Sequence, residues 1–133
     1  MYVKDFNTWN TVKQRIHGDD RSITMRAGEI RWVSLGVNVG SEIDGKGVSF
    51  TRPALVVHVI GAHLALVIPM STTTKEVPGH YPLFFKEQWV TLCFSQMRVI
   101  SQKRVYSRLG KLSNEKLQYL KIVAKRFFEM MRN

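Results

Sequence analysis

The chain has 133 residues, one cysteine, and 20 Lys and Arg against 10 Asp and Glu, a net charge of +10. That length suits one domain with a core of its own, the single cysteine excludes an internal disulfide, and an apolar fraction of 44% excludes a disordered polyelectrolyte. A compact domain this basic repels itself, so the excess charge points to an anionic partner, with nucleic acid ahead of acidic membrane or acidic protein.

The N-terminal residues lack the basic segment and apolar run that secretion needs, so a cytoplasmic protein is expected. Phe6, Trp9, Val12 and Ile16 recur at spacings of three and four, which predicts an amphipathic helix from about Asp5 to His17. Gly18-Asp19-Asp20 ends it, and residues 1–25 read as an extension ahead of a domain spanning 26–133.

From Gly28 the pattern turns to short strands: Glu29–Leu35, Ala54–Ile60, Ala62–Pro69, Trp89–Phe94, and Gln96 to about Ile100. The apolar stretch from Pro53 to Met70 is nearly long enough for a membrane span. Its central Gly61, its two histidines and its Val/Ile content fit a buried hairpin instead. Gly36–Thr51, with glycines at 36, 40, 45 and 47, reads as a long mobile loop of the kind that carries function. Thr72–Pro82 reads as a second loop. Cys93, between Leu92 and Phe94, reads as a small buried hydrophobe. Ser113 then caps a terminal helix with Glu115 in its first turn, and Leu117, Leu120, Val123, Ala124, Phe127 and Met131 form its apolar stripe. Five strands and two helices in this space predict a mainly β (α+β) fold, a small, strongly bent antiparallel barrel with the helices packed on it.

Four segments resemble the MazF/PemK toxins of type II toxin–antitoxin systems. They are Gly28-Glu29-Ile30-Arg31-Trp32-Val33-Ser34-Leu35, Val39-Gly40-Ser41-Glu42, Arg52-Pro53-Ala54-Leu55-Val56-Val57, and Ser95–Ile100 followed by Arg108-Leu109-Gly110-Lys111-Leu112-Ser113. The resemblance covers roughly residues 26 to 125. It implies an SH3-like barrel that forms a homodimer, cleaves single-stranded RNA (mRNA), and is neutralised by a cognate antitoxin covering the RNA-binding surface. Its cleavage residues fall on Arg52 and, at the usual threonine position after Val67-Ile68-Pro69-Met70, on Ser71. The chain departs from the pattern at that serine, in the lengthened Ile43–Thr51 segment, and in residues 1–25, which have no counterpart in short members.

The chemistry fits those residue types. RNA carries its own nucleophile, the 2′-hydroxyl, so the protein need only move protons and stabilise charge on the phosphorane. Arg52 is the expected phosphate clamp, its planar fork suited to two phosphate oxygens. Ser71 or the neighbouring Thr72 would orient the phosphate, and Glu42 would hold Arg52 or act as base. Lys46, Phe50, Lys75, His80 and Arg98 are the expected RNA contacts, with Lys86, Tyr81 and Trp89 also placed to follow backbone or stack on bases. Arg98 and Gln96 sit in a predicted strand, where a structural role is the alternative. His58 and His63 lie in apolar runs and are expected to be core or edge residues. No metal-ligand spacing is present, and no cofactor is expected. The competing functions are a toxin-like barrel without catalysis, binding DNA gyrase as toxins resembling CcdB do, or a plain basic RNA-binding module.

Overall fold

The computed structural model describes residues 3–73 and 78–131. Helix α1 (Phe6–Gly18) starts where the Asp5 carboxylate accepts the Thr8 amide at 3.0 Å, satisfying a first-turn donor that has no partner within the helix. Hydrogen bonds from the Thr8 side chain and amide hold the Asp5 carboxyl below the usual carboxylate range. Trp9, Val12 and Ile16 form its buried stripe.

Among the described residues seven strands follow: β1 (Glu29–Ser34), β2 (Thr51–Ile60), β3 (Leu64–Ser71), β4 (His80–Phe85), β5 (Gln88–Cys93), β6 (Arg98–Ser101) and β7 (Val105–Lys111), then helix α2 (Asn114–Met130). All pairings are antiparallel, in the order β4-β5-β3-β2-β1-β7, with β6 also on β3. The first part of β3 pairs with β6 and its last two residues with β5, so β3 serves two parts of the sheet.

This arrangement buries both faces of β2. Ala54 and Val56 join Val33, Val67, Ile100 and Val105 in a core enclosed by β1, β2, β3, β6 and β7. The edge strands β6 and β7 are joined by a 3-10 turn at Gln102–Arg104, which completes the SH3-like barrel. Leu55 and Val57 point the other way, to Ile68, Leu92, Leu117 and Leu120 under the β4–β5 hairpin and α2. Double-sided burial explains why 54–70 reads as continuous apolar sequence rather than as alternation. Each such side chain contributes roughly 1.5–3 kcal/mol on leaving water. Helix α2 opens as expected, with the Lys116 amide donating to Ser113 Oγ at 3.1 Å. Its stripe stops short, because Met131 is exposed.

The fold class and the hairpin agree with the sequence reading; the strand count does not. Strand β4 lies partly where a loop was expected, and β7 was not anticipated. Of the core and edge placements open to His58 and His63, the structure excludes the core: His58 is exposed on β2 and His63 in the β2–β3 turn.

The Gly36–Thr51 segment is tied down rather than open. The Leu35 and Gly36 amides both donate to Phe50 O, Gly45 N donates to Gly36 O at 2.8 Å, and the Asn38 side chain donates to Leu35 O and Ile43 O. Helix α1 lies on this loop, in a cluster of Trp9, Val12, Ile16 and Val37 packed by Phe50. The fit requires glycine at 36, where φ is +77° and an added Cβ would sit 2.2 Å from the Trp9 ring.

Candidate RNA-cleavage site

Arg52 is the second residue of β2. The register pairs Ala54 with Pro69, and continuing it two residues sets Arg52 beside Ser71 at the open end of the hairpin. The guanidinium is half-buried and anchored on main chain: Nε donates to Asp44 O at 2.8 Å and one terminal nitrogen to Met70 O at 3.3 Å. Such anchors fix the fork's direction before any ligand arrives. Its charge reaches β5: burial pushes the Cys93 thiol up, and Arg52 opposes that rise.

Arg52, Ser71 and Thr72 line one groove of about 540 Å³ with Lys46, Lys86 and the exposed Trp32. Pro53, Phe85, Val90 and Leu109 form its apolar wall. Ser71 Oγ accepts the Thr73 amide at 3.1 Å, which leaves its hydroxyl proton to donate elsewhere. The Lys46 and Thr51 main chains pair in both directions, at 2.8 and 2.9 Å, so Lys46 projects from a fixed bridge at the rim.

Lys86 reaches the groove from a two-residue β4–β5 turn. Lys86 and Glu87 both have positive φ, +49° and +59°, a turn that ordinarily selects Asn-Gly. Holding two ordinary residues there costs about 1 kcal/mol or more each. The edge-to-face pair Phe84–Trp89, with centroids 5.2 Å apart, closes the hairpin beside the turn and offsets part of that cost. Phe84 and Trp89 are both exposed.

The other expected residues fall elsewhere. Glu42 and Arg98 line a separate groove with Gln96, so Glu42 is not set against Arg52. Glu42 instead accepts the Val39 amide at 2.9 Å and closes its own turn. Gln96 ties the same loop, accepting from Ile43 N and donating to Ser41 O. Phe50 is turned inward against Trp9, ring centroids 5.6 Å apart, which takes it away from base stacking. Tyr81 is stacked on Phe94, and burial, with Tyr119 beside it, pushes its phenol up. His80 begins β4 opposite Cys93 and its Nδ1 is buried without a hydrogen-bond partner; it does not line the groove of Arg52. Lys75 lies outside the described residues. Among the described residues no cluster of His, Cys, Asp and Glu is placed to hold a metal ion, and no helix is long and apolar enough to cross a membrane.

Sequence reasoning missed Trp32 and Leu109 as walls of the groove, and it missed Asp44. Trp32 carried a signal, being the large aromatic in β1 that both cores leave out.

The fold is a small antiparallel barrel, and the groove at its rim is cationic. Mycobacterium tuberculosis toxin MazF-mt6 superposes with a TM-score of 0.57 at 14% identity, over 78% of this chain and 99% of that one. An endoribonuclease in complex with its cognate antitoxin, from mycobacterial species, gives a TM-score of 0.56 at 10% identity, over 83% of this chain and 100% of the other. No curated protein sequence matches the chain. Residues 26–128 match the family model described as PemK-like, MazF-like toxin of type II toxin-antitoxin system, and the chain belongs to that family. The match begins after α1, which leaves the helix outside it.

Proposed function

We propose that this type II toxin is an endoribonuclease that cuts single-stranded RNA without a metal, by attack of the 2′-hydroxyl on the adjacent phosphodiester. The observation that carries the reading is Arg52, anchored by Asp44 O and Met70 O at the rim of a groove that also presents Ser71, Lys46 and Lys86. Arg52 holds the phosphate and stabilises the phosphorane as charge builds, Ser71 donates to a non-bridging oxygen, and the lysines follow the flanking backbone. The described lining of the groove contains cations and hydroxyls but neither carboxylate nor imidazole. Charge stabilisation by Arg52, with hydroxyl donors beside it, is the contribution this geometry supports. Thr72, exposed on the same wall, is the second hydroxyl of the site.

Residues 1–25 are an extension of a barrel domain spanning 26–133. A cognate antitoxin is the partner that membership of a type II family supports. The reading also includes a homodimer, which the sequence resemblance implies, and a cytoplasmic location.

The test is incubation of the protein with a long single-stranded RNA in EDTA, with the ends of the products mapped. New 5′-hydroxyl ends are expected, and Arg52→Ala should lower kcat about 10²–10³-fold with its melting temperature kept. Intact RNA, or an Arg52→Ala variant that cuts as fast as the parent, would overturn the assignment.

A further inference from the structure

We infer that Lys4 is a positioning residue for Arg52: its ammonium is a built-in cation that organises the loop whose main chain aims the guanidinium. The inference rests on the reading of Arg52 as the phosphate clamp.

Lys4 lies outside the 26–128 family match, and its side chain is only 17% exposed. Its Nζ donates to Asn38 O at 2.5 Å and Gly40 O at 2.8 Å, and lies 3.4 and 3.3 Å from the two Asp44 carboxylate oxygens. Oxygens from three positions of one loop thus converge on a single ammonium, whose three donors suit such a nest. The Asp44 carboxylate, 10% exposed, also accepts the Asn38 amide at 2.7 Å, so Lys4 and Asp44 together close the 38–44 turn. Asp44 then faces two ways. Its carboxylate is held by Lys4, and its carbonyl accepts Arg52 Nε.

Removing the ammonium leaves a largely buried carboxylate among carbonyl dipoles that also point their negative ends inward. Those oxygens repel one another once the donor they share is gone, so the turn loosens and the Asp44 carbonyl shifts from its place. Arg52 then loses an anchor close to the position it must hold as the phosphorane forms. Helix α1 is secured independently, by Trp9, Val12 and Ile16 and by Lys103 Nζ donating to His17 O at 2.6 Å. Losing Lys4 therefore loosens the aim of Arg52 without undocking the helix.

The experiment uses the full chain, with single-stranded RNA in EDTA, comparing the parent, Arg52→Ala, Lys4→Met, Lys4→Ala and Asp44→Asn. Lys4→Met keeps the stem and removes the charge. Its kcat should fall about tenfold or more with KM within about twofold, because the affected interaction acts at the developing charge rather than along the bound strand. In Lys4→Ala, whose shortened side chain leaves room for an amine, methylammonium chloride should restore part of the lost kcat, and tetramethylammonium chloride at equal ionic strength should not, since it has no N–H to donate. Asp44→Asn should show the same split, and the double variant should lose less than the product of the two single losses. A parent rate in Lys4→Met, or a loss that no amine restores and that tracks a collapsed melting temperature in both single variants, overturns the inference while Arg52→Ala still reports on the cleavage site. A parent that leaves RNA intact overturns the functional reading and this inference with it.

Discussion

The contact between α1 and the long loop can be tested at Gly36. A Cβ added there would lie 2.2 Å from two atoms of the Trp9 ring and 2.8 Å from a third. Ordinary contacts begin near 3.4 Å, so the indole must move by more than an ångström. Position 36 also has φ +77°, which costs an alanine roughly 1 kcal/mol. Trp9 is 7% exposed, and expelling it forfeits about 3 kcal/mol or more, the low end for deleting a buried tryptophan. The sum is about 4 kcal/mol. A domain of 133 residues has an unfolding entropy that converts this to a fall in Tm of about 15 °C. Gly40→Ala is the matched control: φ is +55°, nothing lies within 4 Å of the new Cβ, and the expected fall is about 4 °C. The loss of unfolded-chain entropy on replacing glycine is common to both variants and cancels in the comparison. Thermal melts followed by circular dichroism give the two values, and tryptophan fluorescence reports whether the indole has moved towards water. If the two variants melt within about 3 °C of each other, Trp9 is not seated on Gly36 as described and the support it lends the loop is wrong.

Other consequences concern the groove itself. Ser71→Ala should lower kcat about tenfold and Ser71→Thr should recover most of it, because the step needs one hydroxyl at that position; a parent rate in the RNA assay for Ser71→Ala would move the role to Thr72. For Cys93, burial raises the thiol pKa and Arg52 holds it partly down, so the thiolate's ultraviolet absorbance should emerge above the ordinary thiol range and emerge later still in Arg52→Ala. Because the folded thiol keeps its proton longer than the unfolded one, the group's contribution to stability is present below the ordinary thiol pKa and is lost as pH rises through the folded value. An Arg52→Ala titration that shifts downward would show that the guanidinium does not reach Cys93.

The sequence carried the hairpin, both helices and the groove's central arginine because each is written locally. Apolar runs broken at Gly61, a three-and-four spacing in α1, and Arg52 next to Pro53 need no distant partner to be read. Strand β4 was hidden by composition. Pro82 falls within it, and its turn uses Lys86-Glu87 where a hairpin of this length ordinarily displays Asn-Gly. Strand β7, Val-Tyr-Ser-Arg-Leu-Gly-Lys, is short and edge-placed, with one buried residue and no clean alternation. The site was partly legible for a related reason. Arg52 and Ser71 are brought together by strand register, which the hairpin already implies. Glu42 was assigned by its nearness in sequence to the loop, and the fold of 38–44 turns it into a different groove. The roles of Lys4 and Asp44 were invisible, since they depend on a contact across some forty positions.

Nine of the 20 cations behind the charge that first suggested an anionic partner divide into two populations once the structure is followed. Arg21 donates to Lys103 O and Val105 O, and its guanidinium lies 4.1 Å over the Tyr106 ring. Arg104 donates to Ser34 O and sits over Trp9, and burial, with Arg98 nearby, holds its pKa below the usual arginine value. Lys4 and Lys103 donate to carbonyls as well, and Arg31 and Arg108 flank the buried Glu29. These cations join α1 and the chain that follows it to the barrel, or join β1 to β7. A carbonyl satisfied by a cation needs no water, which is how a polar seam can be closed under a helix without further hydrophobic area. The cations at the groove, Lys46, Lys86 and Arg52, are the second population. Net charge therefore overstates the electrostatic footprint offered to RNA. The salt dependence of RNA binding counts phosphates contacted, at about −0.7 in log–log slope per contact on a single strand, and it will follow the groove's few cations rather than the chain's total.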